Sequence, residues 1–205
     1  MQRPKRKKLA ILPKVLIVCE GEVTELIYFE GVRKKRHIPK ERVLIYGNCG
    51  VPKSVVDRAA VLKKENDANN KYQGLSAADT VWAVFDRDDH PNIPEAKEKA
   101  ATNDINIAFS NPNFELFLLL HFAELNREEK REVVTRILRE HIPNYRKYFD
   151  YDALKMHDRY PEAKRKMAKI NSRSVVVAGI ENPPFCCVHN LIDRKRGTLA
   201  VLTLS

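Results

Sequence analysis

The sequence predicts an α/β protein in which helices flank a parallel β-sheet and a helical appendage follows at the C-terminus. Short runs rich in β-branched residues alternate with segments whose apolar residues recur every three or four positions. Two of these runs end in acidic residues, at Glu20 and at Asp86. Because strand and helix alternate and crossovers are right-handed, we expect parallel strands with helices on both faces.

The first predicted strand, residues 15–18, is apolar on both faces, as a strand inside a sheet requires. It ends at Glu20 and Gly21, and helical spacing follows from about residue 23 to 36. Gly21 permits the backbone angles that a sharp turn from strand to helix needs. Glu20 is therefore predicted at the carboxyl end of a strand, where open α/β sheets bind their ligands.

The same alternation continues through three further pairs of strand and helix. The strands are predicted at 42–46, 80–85 and 104–109, and the helices from Pro52, near 93–102 and at 114–122. Ser110 and Asn111 precede the last of these helices, either as caps of its first turn or as substrate contacts.

After about residue 126 the pattern becomes more charged and less regular. A charged amphipathic helix is predicted at 127–141 and a short helix at 188–195, whereas residues 175–177 fit either a helix end or a strand. We therefore divide the chain into a basic mobile arm at 1–13, an α/β domain at 14–126 and a helical extension at 127–205 that packs on it.

The chain carries a net charge of +10, from 37 lysines and arginines against 27 acidic residues. The basic residues concentrate in the N-terminal arm, in a segment with Lys164, Arg165 and Lys166, and at 194–196. Such a charge distribution favours a polyanion, so we expect a nucleic-acid partner, with Lys164, Arg165 and Lys166 as candidate substrate contacts. The alternative for each cluster is an ordinary solvated surface.

Hydropathy and cysteine spacing exclude other classes. No apolar run approaches the roughly 20 residues of a membrane helix, so we expect no membrane partner. The basic N-terminus runs into Pro13 and Lys14 and is a poor signal peptide, which predicts a cytoplasmic protein. The four cysteines lack paired zinc spacing.

Glu20, Asp86 and Asp88 form the leading candidate site. If their strands are neighbours, the three carboxylates meet at one edge of the sheet and repel each other unless a divalent cation, Mg²⁺ or Mn²⁺, lies between them. If the strand continues through Asp88, then Asp86 and Asp88 face the same side, and Arg87 faces away or turns towards a phosphate. The alternative is that these acids only cap helices.

Four more residues are candidates at the same edge. Glu115 lies in the first turn of a helix that follows a strand, as a further metal ligand or as an acid that suits the helix dipole. His90 follows the acids and is either a metal or water contact or a hydrogen-bonded loop residue. Arg87 and Asn111 are candidate substrate contacts. His121, on an apolar helix, is expected to be a core residue.

Several motifs together resemble a known family. LIVCEGEVTE with YFEG, VFDRDDH, AFSNPNFELFLLLHF and VHNLI are similar to the RloB-like family of bacterial and archaeal proteins, over residues 16–192. A strand that ends in Glu-Gly, paired with a later strand that ends in Asp-x-Asp, also resembles the Toprim domain of topoisomerases, primases and OLD-type nucleases. The resemblance implies a Toprim-like, Rossmann-like sheet. It departs from Toprim enzymes after Asp88, where a glycine is often found.

The resemblance also implies a function. It suggests a metal-dependent endonuclease of phage defence, with Glu20 as general base or ligand and Asp86 and Asp88 as ligands of one or two ions. An RloA-type ATPase is the implied partner, and a homo-oligomer is compatible. The alternative is a non-catalytic nucleic-acid-binding adaptor of that ATPase. A phosphohydrolase of the haloacid dehalogenase type is disfavoured, because Glu20 stands where that chemistry needs an aspartate.

Overall fold

The computed structural model describes residues 14–72, 80–88, 90, 92–125 and 127–193, with the side chains of 69–72 left out. The predicted basic arm at 1–13 and the basic cluster at 194–196 lie outside the described residues, as do Asp89 and Pro91.

Seven strands are found in the described part of the chain, and five of them form one sheet in the order β2-β1-β3-β4-β7. The strands are β1 (Val15–Cys19), β2 (Val43–Tyr46), β3 (Thr80–Asp86), β4 (Asn106–Asn111), β5 (Val176–Val177), β6 (Ile180–Glu181) and β7 (Phe185–Cys186). The strands β1 to β4 pair in parallel, and β7 pairs antiparallel to β4. The predicted α/β class with a mainly parallel sheet is confirmed.

Helices cover both faces of this sheet. They are α1 (Thr24–Lys35), α2 (Pro52–Tyr72), α3 (Ile93–Thr102), α4 (Phe114–Leu119), α5 (Arg131–His141), α6 (Met156–Asn171) and α7 (His189–Asp193). None of the helices in the described residues is both long and apolar enough to span a bilayer.

The alternation of side chains along β1 divides the core into two layers. Val15, Ile17 and Cys19 face a cluster that includes residues of α1 and α4 to α7. Leu16 and Val18 face a second cluster, built with α2 and α3. All five residues of β1 are buried, as expected for the central strand of a covered sheet.

The strand β4 continues past its predicted end. Ser110 and Asn111 belong to it and are buried, and α4 begins only at Phe114. Of the two alternatives for these residues, capping of this helix is therefore excluded, and a substrate contact stays a prediction. The physical reason is that β3 offers pairing as far as Asp86, which is in register with Ser110.

The C-terminal part contributes strands as well as helices. Ser110 of β4 pairs with Cys186 of β7, so the sheet is completed by a segment from the far end of the chain. Of residues 175–177, which the sequence left open between a helix end and a strand, Val176 and Val177 form the strand β5, which pairs with β6 in a small two-stranded sheet.

Candidate metal centre

Backbone and side-chain bonds fix Glu20 between the ends of two strands. Its N–H donates to the carbonyl of Val84 at 2.9 Å, which carries the pairing of β1 and β3 one residue beyond β1. Its Oε2 accepts from the N–H of Asp86 at 3.1 Å, and its Oε1 lies 3.0 Å from Nε2 of His90. Burial raises the pKa of Glu20, and the bonds to Asp86 and His90 partly oppose this effect.

The chain turns sharply after β3. The N–H of Arg87 donates to the carbonyl of Ser110 at 2.9 Å, and Asp88 has a positive φ of 30°. The condition that the strand continues through Asp88 is therefore not met, because β3 ends at Asp86 and Asp88 lies in a turn. The turn instead directs Asp88 towards Glu20 and His90.

Glu20, Asp88 and His90 form a group of candidate metal ligands. One ligand atom from each of these side chains lies within 4.8 Å of the others. Asp86 does not belong to this group. Its Oδ2 accepts from the N–H of Phe114 at 2.9 Å, at the start of α4. Burial raises the pKa of Asp86 well above its ordinary value, and the neighbouring charges of Glu25 and Glu115 raise it further.

Glu115 is an interior acid rather than an exposed residue that interacts only with the helix dipole. Its side chain is 3% exposed, and its Oε1 lies 2.9 Å from Nζ of Lys147. The hydroxyl of Tyr145 donates to the same oxygen at 3.1 Å. Burial lowers the pKa of Lys147, but Glu115 and Glu25 nearby more than offset this, and the net pKa is raised. A buried carboxylate is therefore matched by an ammonium group.

The sequence interpretation did not single out Glu25, although it lies in the same motif as Glu20. Its Oε1 accepts from the N–H of Gly21 at 3.1 Å, and burial raises its pKa. A Cβ at position 21 would lie less than 3.0 Å from the Glu25 carboxylate, so a larger residue there would force that side chain to move. The available signal was an acid in the first turn of α1, facing the turn that carries Glu20.

The acids surround one cavity of about 260 Å³ at the carboxyl edge of the sheet. Its lining includes six carboxylates and a single amine, from Glu20, Glu22, Glu25, Asp86, Asp88, Glu115 and Lys147. The parallel strands and the first turns of α1 and α4 thus bring together acids from positions 20 to 115. Such a set suits a divalent cation, because six carboxylates lining one small cavity repel each other and a single lysine there offsets only part of their charge.

Two further cavities adjoin the acids. A cavity of about 910 Å³ is lined by Arg87, Asp88, Asn111 and Arg131, among others. Arg131 Nη1 lies 2.9 Å from Oδ1 of Asp88. Within this region Arg87 donates to the carbonyl of His90 at 3.2 Å, and the Asn111 side chain donates to the carbonyl of Glu181 at 2.6 Å. The third cavity, of about 320 Å³, includes Glu115.

The predicted basic segment of α6 contacts other parts of the molecule. Lys164 lies 2.9 Å from Asp193, and Arg165 pairs with Glu162 at 2.6 Å. Lys166 is buried, with 8% of its surface exposed. Among the described residues, these three line none of the three cavities around the acids. The structure does not bring this segment to the acidic edge.

The fold and the acidic edge define an α/β protein with a candidate divalent-metal centre at the carboxyl ends of parallel strands. The family comparison is more specific. The profile of a family described as "RloB-like protein" matches residues 15–194, and the chain therefore belongs to the RloB-like family. Comparison with curated proteins gave no match, and comparison with solved structures gave none either.

Proposed function

We propose that this protein is a divalent-metal-dependent nuclease that hydrolyses phosphodiester bonds of DNA or RNA. The observation that carries the proposal is the convergence of six carboxylates on one cavity at the edge of the sheet. Burial raises the pKa of Glu20, Glu25 and Asp86 in this cavity. Perturbed acids in a cleft are typical of catalytic sites, because burial that destabilises charge serves little structural purpose.

The side chains present fit a divalent ion. Glu20 and Asp88 supply oxygen ligands and His90 a nitrogen, with ligand atoms within 4.8 Å of one another. Carboxylates suit Mg²⁺ and Mn²⁺, and an imidazole favours Mn²⁺ of these two. Glu20, Asp88 and His90 would hold one ion, and Asp86 with Glu115 are candidates for a second. A bound ion would stabilise the charge that develops on the attacking and leaving oxygens at phosphorus.

The remaining chemistry falls to residues of the chain. Glu20 is either only a ligand of the ion or also the general base; as the base, it would accept the proton that an attacking water releases. His90 orients the Glu20 carboxylate through the 3.0 Å contact with Oε1. Lys147 reduces the negative charge beside Glu115, which lowers the repulsion of an entering phosphate.

Family membership extends the proposal to the biological setting. We place the nuclease in phage defence in the cytoplasm, where it would work with an RloA-type ATPase and on nucleic acid. The division into a Toprim-like domain at 14–126 and an extension at 127–205 is part of the same proposal, and self-association is compatible with it.

The decisive experiment is a cleavage screen with the purified protein. Supercoiled plasmid, single-stranded DNA and tRNA are incubated with Mn²⁺, with Mg²⁺ and with EDTA. We expect cleavage with metal only, and a loss of at least about 100-fold in rate for Glu20→Gln and for Asp86→Asn, the range expected when a group that stabilises the transition state is removed. Activity that survives both substitutions would overturn the proposal.

A matched control tests whether the loss of activity is specific to acids of the site or follows from the removal of any acidic residue. Glu41 is exposed and lines none of the cavities described around the acids, so Glu41→Gln should cleave at the rate of the unsubstituted protein. Retained nucleic-acid binding without metal-dependent cleavage, even with the ATPase present, would favour the adaptor function instead.

A further inference from the structure

We propose that Arg131, Arg139, Arg146, Lys147 and Tyr148 form a binding surface for an unpaired nucleic-acid strand beside the acidic cavity. This inference rests on the proposed function, and it names the form of the substrate and the surface that receives it. We call these five residues the basic aromatic surface.

Cavity lining places the basic residues together. The cavity of about 320 Å³ is lined by Arg131, Arg139, Arg146 and Lys147 from α5 and from the loop that follows it. Two acids, Glu115 and Glu132, share the lining, and Glu115 is already paired with Lys147 at 2.9 Å. The wall therefore presents an excess of positive charge, as a groove for a phosphate backbone requires.

Two residues connect this surface to the acids. Lys147 lines both this cavity and the acidic cavity. Arg131 lines this cavity and the large cavity, and its guanidinium lies 2.9 Å from Asp88. The residues shared between these cavities therefore place this surface directly beside the acids. A phosphate that attracts Arg131 would also release Asp88 for a cation.

Tyr148 supplies the aromatic contact. The large hydrophobic side chains that stand exposed in the described residues are five valines and Tyr148, and Tyr148 is the most exposed at 73%. It directly follows Arg146 and Lys147 in the chain. Bases of an unpaired strand stack on such side chains, whereas the bases of a duplex are already stacked and paired. The combination of arginines with an exposed tyrosine thus favours an unpaired strand.

Binding measured in EDTA tests the surface without cleavage. A labelled oligothymidylate and an oligouridylate of about 15 nucleotides, and a duplex of equal length, are titrated with the full chain by fluorescence anisotropy. We expect Tyr148→Ala to weaken binding of the single strands at least about fivefold and to leave duplex binding within about twofold. Tyr148→Phe, which keeps the ring, should bind as the unsubstituted protein does.

The charge of the surface is tested in the same assay. Arg146→Glu should weaken binding and reduce the slope of log K against log salt by about 0.7 for each phosphate that is no longer neutralised. Lys34→Glu, on the exposed side of α1, changes the net charge equally and should stay within about twofold. Both substituted side chains are exposed, and a thermal melt confirms that each variant folds.

The outcomes separate this inference from the nuclease. The basic aromatic surface would be overturned if Arg146→Glu and Lys34→Glu weakened binding equally. It would also be overturned if Tyr148→Ala bound single strands as the unsubstituted protein does. Either result would count even if the protein cleaves DNA. If Tyr148→Ala and Arg146→Glu weaken single-strand binding as expected but the protein shows no cleavage, the surface is supported and the nuclease is contradicted.

Discussion

Neighbouring groups offset the cost of burying the negative charge of Glu115 and of Asp86 to different extents. Glu115 lies 2.9 Å from the ammonium group of Lys147, whereas Asp86 accepts from the backbone N–H of Phe114 at 2.9 Å. An N–H carries only a partial charge, so it offsets less of the cost of burying a carboxylate than an ammonium does. Burial accordingly raises the pKa of Asp86 well above its ordinary value. Asp86 is the acid of this pair that would gain more from an added cation.

His121 shows the opposite case of a buried titratable group with a purely structural role. Its Nδ1 lies 2.9 Å from the carbonyl of Phe117 and its Nε2 lies 3.0 Å from the hydroxyl of Tyr28. Because a carbonyl only accepts, Nδ1 carries the proton and the neutral ring accepts from Tyr28. The expectation of a satisfied core histidine is thereby confirmed.

Protonation of His121 should destabilise the fold. Burial lowers its pKa from 6.5 to about 4, so the unfolded chain binds the proton more tightly. Stability from this residue is therefore lost as the pH falls from about 6.5 to about 4, by about 3 kcal/mol. Urea unfolding at pH 7 and pH 4.5 should show a larger loss for the unsubstituted protein than for His121→Gln. Equal losses would contradict this assignment.

At the scale of elements, the position where β3 ends and the pairing of β7 with β4 determine the geometry of the carboxyl edge of the sheet. β3 stops at Asp86, and the turn that follows directs Asp88 towards His90. β7 pairs with β4, and the Asn171 side chain of α6 hydrogen-bonds its backbone. Asn171 donates to the carbonyl of Cys186 at 2.6 Å and accepts from its N–H at 3.0 Å.

Asn171→Ala should therefore loosen β7. The substitution leaves the N–H and carbonyl of Cys186 without these partners, at a cost of about 1–3 kcal/mol in the free energy of unfolding. Amide exchange of Cys186 should accelerate before global unfolding. Ser172→Ala is the control, since the exposed Ser172 hydroxyl only donates to the carbonyl of Lys169 and its removal should cost less than about 0.5 kcal/mol. Equal effects of the two substitutions would show that Asn171 does not hold this strand.

At the scale of the molecule, the extension and the sheet share one core. The cluster beneath β1 contains Ile17 and Trp82 from the sheet. It also contains side chains of the last three helices, among them Val134, Leu138, Met167 and Leu191. Removal of the extension would expose this apolar face of the sheet to water, at roughly 25 cal/mol for each Å².

A chain that ends at residue 126 should consequently fail to fold by itself. We expect no cooperative thermal transition by circular dichroism, whereas the full chain melts cooperatively. Addition of a separate 127–205 segment should restore the transition if both parts meet in one core. Cooperative unfolding of the shortened chain would instead identify 14–126 as an autonomous domain.

Local patterns in the sequence determined the four parallel strands β1 to β4, most helices and the placement of Glu20 and Asp86 at strand ends, but not the short strands β6 and β7. Periodicity and turn residues act over a few positions, so these features can be predicted from the sequence without knowledge of the tertiary structure. The sequence correctly placed Asp88 near Glu20. It could not show that Asp88 lies in a turn rather than in the strand, because the backbone bonds there join Arg87 to Ser110 and Asp88 to Pro112, more than 20 residues away.

Only the tertiary structure decided which charged groups meet. Glu25 and Lys147 gained their place in the site because the loop after α5 folds back onto α1, where the Thr24 hydroxyl donates to the carbonyl of Lys147, 123 positions later. The tertiary structure also placed Arg131 beside Asp88. It left Lys164 and Arg165 of α6 paired with Asp193 and Glu162, away from the acidic cavity. The sequence determined which residues carry charge, whereas their partners depend on contacts between distant segments, which no local pattern encodes.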